Sequence, residues 1–363
     1  MLNTIFRAVI GAVFAAAALP ALAETPEDIL ARILEQDGGP GVMAAVVQDG
    51  EVVWSGAAGL ADLEALVPLT GQTPMRIGSV SKTLTAALVL RLAEQGRLNL
   101  DADLRELIPE LHTPDDATVT ARQFAAHISG MRQYDFGNYL EANNVFFHPS
   151  LTDANAQFFD GAFIAAPGEE HHYTSIGFNM LGIAVERASE MEFSAALETA
   201  ITAPLSLDHT MIDHPLDVVP NRTRFYTRFP DGVTRNTIWR DSSDYYPSGG
   251  MLSTATDLAR ITDAIFSGEW LNTGSMDAVR TEARTASGEA TGYTFGWQIH
   301  FADDGTVDWY GHGGETNGAY AVVRYYPEHD LTVAGIMNAN FVQGEPVFFN
   351  AVSEELARLF MEE

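Results

Sequence analysis

Apolar residues recur along the chain in two rhythms. Ile29, Leu30, Ile33 and Leu34 fall at helical spacing behind Thr25 and Pro26, which predicts a short amphipathic helix with Thr25 as its cap. The run Val42-Met43-Ala44-Ala45-Val46-Val47, the pair Asp49-Gly50 and then Val52-Val53-Trp54 predict a β-hairpin, because Asp-Gly suits the positive φ angles of a tight turn. Ser79 to Gln95 is rich in Ala and Leu and reads as a helix stopped at Gly96. A further helix is predicted from Thr174 or Ser175 through Met180, Leu181 and Val185. Another follows Thr254-x-x-Asp257, with Leu258, Ile261 and Ile265 on one face and Gly268 at its end. Near the C-terminus the chain returns to strand character. Tyr293 to Phe301, Thr306 to Tyr310, Ala319 to Tyr326 and Leu331 to Met337 read as strands, and Phe349, Val352, Leu356 and Leu359 predict a closing helix.

Strand character at both ends and helical character between them predict an α/β (α+β) fold. One antiparallel sheet is built from both chain ends and flanked by helices, with a mainly helical lobe inserted. The expected boundaries are 24–100 plus 285–363 for the sheet lobe and 101–284 for the helical lobe, with the active site in the cleft between them. No internal repeat or low-complexity linker is evident.

Composition narrows the partners. Among 363 residues, 46% are hydrophobic and only 19% charged, so the chain has ample material for a core. Acids outnumber cations 49 to 20, a formal net charge of −29 that argues against nucleic acid and anionic membranes as partners. There is no cysteine, hence neither disulfides nor thiol chemistry. Residues 1–23 have the form of a cleaved signal peptide. Arg7 precedes an apolar run from Ala8 to Leu19, and Ala21-Leu22-Ala23 supplies the small-x-small site. A secreted or periplasmic protein is expected, with no stable membrane insertion after cleavage. One compositional detail matters for chemistry: every cation but one is arginine, and the single lysine is Lys82.

Lys82 lies three residues after Ser79 in Gly78-Ser79-Val80-Ser81-Lys82, where Met75-Arg76-Ile77 hands over to a helix. The i, i+3 spacing puts both side chains on one face. A serine hydroxyl is a weak nucleophile until a base takes its proton. A lysine desolvated in a cleft can do so, which arginine cannot. Ser-x-x-Lys alone is common, and an N-cap serine followed by a surface lysine would look the same. A sole lysine retained at this position favours the chemical reading. Two other segments could complete a site. Tyr173, in His171-His172-Tyr173-Thr174-Ser175, could relay protons or simply pack. Gly311-His312-Gly313-Gly314-Glu315 could bring a strand edge close to a substrate with a backbone N–H as oxyanion donor, or be a plain glycine turn.

Taken together and in this order, these segments resemble the serine β-lactamase and penicillin-binding-protein family in its class C branch, including family VIII-type esterases and D,D-peptidases. The resemblance runs over roughly Gly41 to Asn338. It includes Ala126-His127-Ile128-Ser129-Gly130 and Gly249-Gly250-Met251-Leu252-Ser253-Thr254 followed by Asp257. It implies Ser79 as acylated nucleophile, Lys82 as base or proton shuttle and Tyr173 as the tyrosine of Tyr-x-Asn. It also implies the backbone N–H groups of Ser79 and Glu315 as oxyanion hole, with Ser175, His312, Gly313 and Gly314 lining the substrate site. His127 looks structural.

Two departures stand out. The asparagine of Tyr-x-Asn is Ser175, which removes an amide that contacts lysine and substrate. The usual Lys-Thr pair is His312-Gly313, which removes a cation and a hydroxyl that receive a substrate carboxylate, and Glu315 adds a negative charge nearby. Anionic substrates should therefore be disfavoured. The expected function is an exported serine hydrolase acting through an acyl-enzyme on small esters or amides, of esterase or D-amino-acid peptidase type, with a small molecule or short peptide as its substrate. No cofactor or metal is expected: Glu169-Glu170-His171-His172 has no metal-binding spacing. A class C β-lactamase, a D,D-carboxypeptidase and a non-catalytic binding protein are the rival readings.

Overall fold

The computed structural model describes residues 24–361 apart from 139, 140, 142, 269 and 345, so the expected signal peptide lies outside the described residues. Helix α1 (Pro26–Asp37) begins as expected. The Thr25 side chain accepts from Asp28 N while Asp28 reaches back to the cap, and Gly38 ends the helix at φ 65°. Strands β1 (Gly41–Gln48) and β2 (Glu51–Asp62) form the hairpin, and β3 (Val67–Pro68) adds to its outer edge. Near the C-terminus come β4 (Gln298–Phe301), β5 (Val307–Thr316), β6 (Ala319–Tyr326) and β7 (Leu331–Met337).

These strands make one seven-stranded sheet in the order β3-β2-β1-β7-β6-β5-β4. All its pairings are antiparallel, and the β1–β7 pairing, Val42 opposite Met337 through Gln48 opposite Leu331, joins the two ends of the chain. The continuous apolar run of β1 has a direct cause. Val42, Ala44 and Val46 face α1 and the helical segment 348–361, while Met43, Ala45 and Val47 face the opposite core, so both faces of the strand are covered.

Between the halves lie α2 (Ser81–Glu94), α3 (Ser175–Ser189) and α4 (Ala255–Ser267), among shorter helices and loops. Thr174 caps α3 and Thr254 caps α4, each accepting from the N–H three residues on. Helix α4 belongs to the 101–284 stretch yet packs on β1, β6 and β7, and α2, from the first stretch, packs against α3. The two segments thus interlock through exchanged helices.

Two strand expectations change. Tyr293 to Trp297 is not strand, because Gly292 and Gly296 at φ 70° and 85° turn the chain, and β4 begins only at Gln298. The strand expected at Thr306 to Tyr310 runs on through Gly311-His312-Gly313-Gly314-Glu315, so that segment lies inside β5 and is not a glycine turn.

Asn338, directly after β7, is a buried tie for this sheet. Its Oδ1 accepts from Gly41 N (2.8 Å) and its Nδ2 donates to Leu60 O (3.0 Å) and Thr223 Oγ1 (2.9 Å). Asn338→Ala should cost about 3 kcal/mol, because buried partners are left unsatisfied. Urea unfolding checks this, with a lowered midpoint at unchanged slope expected.

Candidate active site

The segment that carries Ser79 is wedged against the sheet. After the two-residue strand Met75–Arg76, the chain makes a single tight turn, Gly78–Val80, before α2 begins at Ser81. The turn can lie on β5 only because two residues lack side chains. A Cβ on Gly314 would stand 2.1 Å from Ile77 O, and one on Gly78, at φ 50°, would stand 2.8 Å from the backbone of Glu315. Arg76 fixes the entry: its Nε donates to Asp213 (2.7 Å), which also accepts from Arg222, and its Nη1 donates to Asn317 O (3.0 Å) in the β5–β6 turn.

Strand β5 has a free edge at the site. Its last partner on β4 is Gln298, opposite Gly311, so among the described residues His312 to Thr316 have no strand on that side. The β5–β6 hairpin closes around Asn317-Gly318 with Thr316 opposite Ala319. Antiparallel alternation from that pair turns the Glu315 N–H away from β6 and toward the free edge, beside Ser79. The expected oxyanion pair, Ser79 and Glu315, is thereby brought together.

Lys82 is completely enclosed, with 0% exposure. Its Nζ lies 3.0 Å from Ser79 Oγ, 3.1 Å from Ser175 Oγ and 2.7 Å from Ser248 O. None of the three carries a charge. Burial therefore drives its pKa well below the usual lysine value, with no carboxylate among the described residues within ion-pairing distance to oppose the shift. The Ser248 carbonyl is fixed by ties to α2: Thr85 Oγ1 donates to Pro247 O (2.7 Å) and Met251 N to Ser81 Oγ (3.3 Å).

Tyr173 stands over the ammonium group, with Nζ 4.9 Å from the ring centre. Burial pushes its phenol above the ordinary tyrosine range, and a hydrogen bond with Ser79 opposes that shift only in part. It remains a protonated hydroxyl, suited to relaying a proton and unsuited to standing as a phenolate base.

His312 is 3% exposed. Its Nδ1 is 2.6 Å from Gly313 O, which sets that nitrogen as donor and leaves Nε2 as an acceptor without a protein partner among the described residues. Burial, and then the nearby Lys82, lower its pKa to about 3, so the ring is neutral in water of ordinary pH. At the position where the resemblance to class C β-lactamases implies a lysine, this chain has an uncharged acceptor. The Glu315 carboxylate is exposed and takes a 3.4 Å hydrogen bond from Tyr320. His127 has the packing role expected of it. Its Nδ1 accepts from Thr174 N (3.1 Å) at the start of α3, and its ring lies 4.4 Å from that of Tyr173.

Ser79, Tyr173, Ser175, His312, Gly313, Gly314 and Glu315 all line one cleft of about 740 Å³. The sequence reading missed three contributors. Gln133 lies on Ser175, Ser248 supplies the carbonyl on Lys82, and Tyr293 is seated between His127 and His312 with ring centres 4.8 and 6.1 Å away. The Gly249-Gly250 stretch pointed near Ser248. Nothing local marked Gln133. No group of three or more His, Asp or Glu among the described residues could hold a metal ion. No helix among them is long and apolar enough to cross a membrane.

The β-lactamase family model matches residues 27–348. The human mitochondrial serine β-lactamase-like protein LACTB is 26% identical over 310 residues, 68% of this chain and 56% of its own length. The chain thus spans little more than half of that relative. Esterase EstB of Burkholderia gladioli is 28% identical over 328 residues, 75% of this chain and 81% of the esterase. Among solved structures, the octameric penicillin-binding protein homologue from Pyrococcus abyssi superposes with a TM-score of 0.78 at 22% identity, over 92% of this chain and 76% of that one. With its model matched across nearly the whole described chain, the protein belongs to the β-lactamase family.

Proposed function

We propose that the protein is an exported hydrolase that cleaves small uncharged esters or amides through an acyl-enzyme at Ser79. One observation carries the reading. The sole lysine of the chain is buried 3.0 Å from a serine hydroxyl, with only uncharged partners. An amine so placed favours its neutral form and has a lone pair to offer. Ser79 Oγ attacks the carbonyl carbon and its proton passes to Lys82 Nζ. The carbonyl oxygen becomes an oxyanion received by the N–H groups of Ser79 and Glu315. Collapse expels the alcohol or amine, which takes a proton delivered through Tyr173. Water then attacks the acyl carbon, releases the acid and restores Ser79.

Neutral His312 supports uncharged substrates, because a carboxylate finds no fixed cation at that position. The kinship with an esterase supports esters in particular. Export rests on the signal-like form of residues 1–23.

A fluorophosphonate probe, a p-nitrophenyl ester panel and nitrocefin test the reading together. Probe labelling and ester turnover, both abolished in Ser79→Ala, are expected, with slow or no nitrocefin turnover. Fast nitrocefin turnover would favour a β-lactamase, and neither labelling nor turnover would favour a binding protein. Lys82→Arg keeps the charge but not the base, so kcat should fall by about 10²–10⁴.

Because the neutral amine is the active form, kcat/KM should rise with pH through the Lys82 pKa and be lost on acidification. The midpoint should lie well below that of an ordinary lysine, and a profile that begins to rise only near pH 10 would contradict the assignment. Gly78→Ala drives a Cβ into the Glu315 backbone, and kcat should fall by about 10²–10³ with KM changed far less.

A further inference from the structure

Among the described residues Lys82 Nζ has three hydrogen-bond partners, and one of them, Ser175, has its own hydroxyl held by a side chain from another segment, Gln133. Gln133 Oε1 accepts from Ser175 N and from Tyr134 N, both at 2.9 Å. Backbone N–H groups only donate, so the oxygen end of the amide is fixed and its nitrogen must face the hydroxyl. Nε2 lies 3.3 Å from Ser175 Oγ, which is itself 3.1 Å from Lys82 Nζ. The amide thus holds residue 175 by main chain and side chain at once, at the first turn of α3. A serine side chain cannot both reach Lys82 and anchor itself, and Gln133 supplies that anchor.

We propose that Gln133 is the positioning residue of the Lys82 base, a neutral amide reaching across from another segment to do what an amide at position 175 would do directly. The inference rests on the hydrolase reading above. Gln133 acts through Ser175, and its neutrality matters as much as its reach. The titratable groups facing Lys82 are Tyr173 from the segment before α3, His127 from the loop beneath it and His312 from β5. Burial holds all three uncharged. A glutamate at 133 would keep the size and shape of the side chain but put a carboxylate one hydroxyl away from the ammonium. An opposite charge at that range favours the charged amine.

The sequence provides a probe of this group. Lys82 is the only lysine, so protein grown on ¹⁵N-lysine has a single side-chain ammonium or amine signal, and its titration reads the base directly without substrate. In Gln133→Glu the Lys82 midpoint should move up by about one pH unit or more, and the acid limb of kcat/KM should move with it. Gln133→Ala should lower kcat about tenfold or more, with KM changed less, because a base out of place weakens the transition state more than binding. Adding Ser175→Asn to Gln133→Ala should recover most of that loss. An unmoved Lys82 signal in Gln133→Glu, or a Gln133→Ala/Ser175→Asn double variant no better than Gln133→Ala, would overturn the proposal. If the wild type neither labels with fluorophosphonate nor turns over esters, the hydrolase reading fails. The NMR titration then still decides whether Gln133 controls Lys82.

Discussion

A lysine enclosed by protein with no counter-ion is in conflict with its charge, and much of this structure can be understood as the setting that maintains the conflict. Removing an ammonium from water costs several kcal/mol unless the group gives up its proton. Three uncharged oxygens receive Nζ, enough to hold the amine in place and too few charges to restore the ammonium. Each comes from a different place: the turn before α2, the first turn of α3 and the loop before α4. The way the sheet-forming chain ends and the middle of the chain exchange helices is what brings these three places to one point.

The second constraint is steric. The tight turn bearing Ser79 touches the backbone of β5, and that contact depends on Gly78 and Gly314. A close approach here gives the nucleophile and the Glu315 N–H a common position. The free edge of β5 beyond Gly311 leaves that N–H without a strand partner. In the proposed mechanism the nucleophile and the oxyanion donors are therefore set by rigid backbone more than by adjustable side chains, the condition under which electrostatic stabilisation needs little rearrangement during reaction.

How far the sequence reaches can be judged from particular residues. Thr25, Thr174 and Thr254 announce their helices because a cap is a contact over three residues, and the Asp49-Gly50 turn is equally local. Ser79 and Lys82 were legible for the same reason, and so was the pairing of the chain ends, through apolar strand-forming runs at both ends of the chain, in β1, β6 and β7. Gln133 and Ser248 were not legible. They meet Ser175 and Lys82 across 42 and 166 positions, and no short-range pattern encodes such a meeting. The strand expected at Tyr293 failed because Gly292 and Gly296 take positive φ and override the apolar alternation around them.

The imbalance of 49 acids over 20 cations has a kinetic side. A field of that sign extends about one Debye length into solution, roughly 8–10 Å at ordinary ionic strength, and slows the approach of anions before any contact is made. Neutral molecules cross it unhindered. On the proposed reading, selection against anions thus begins in the solvent, and its strength is set by the salt content of the medium as well as by the walls of the cleft.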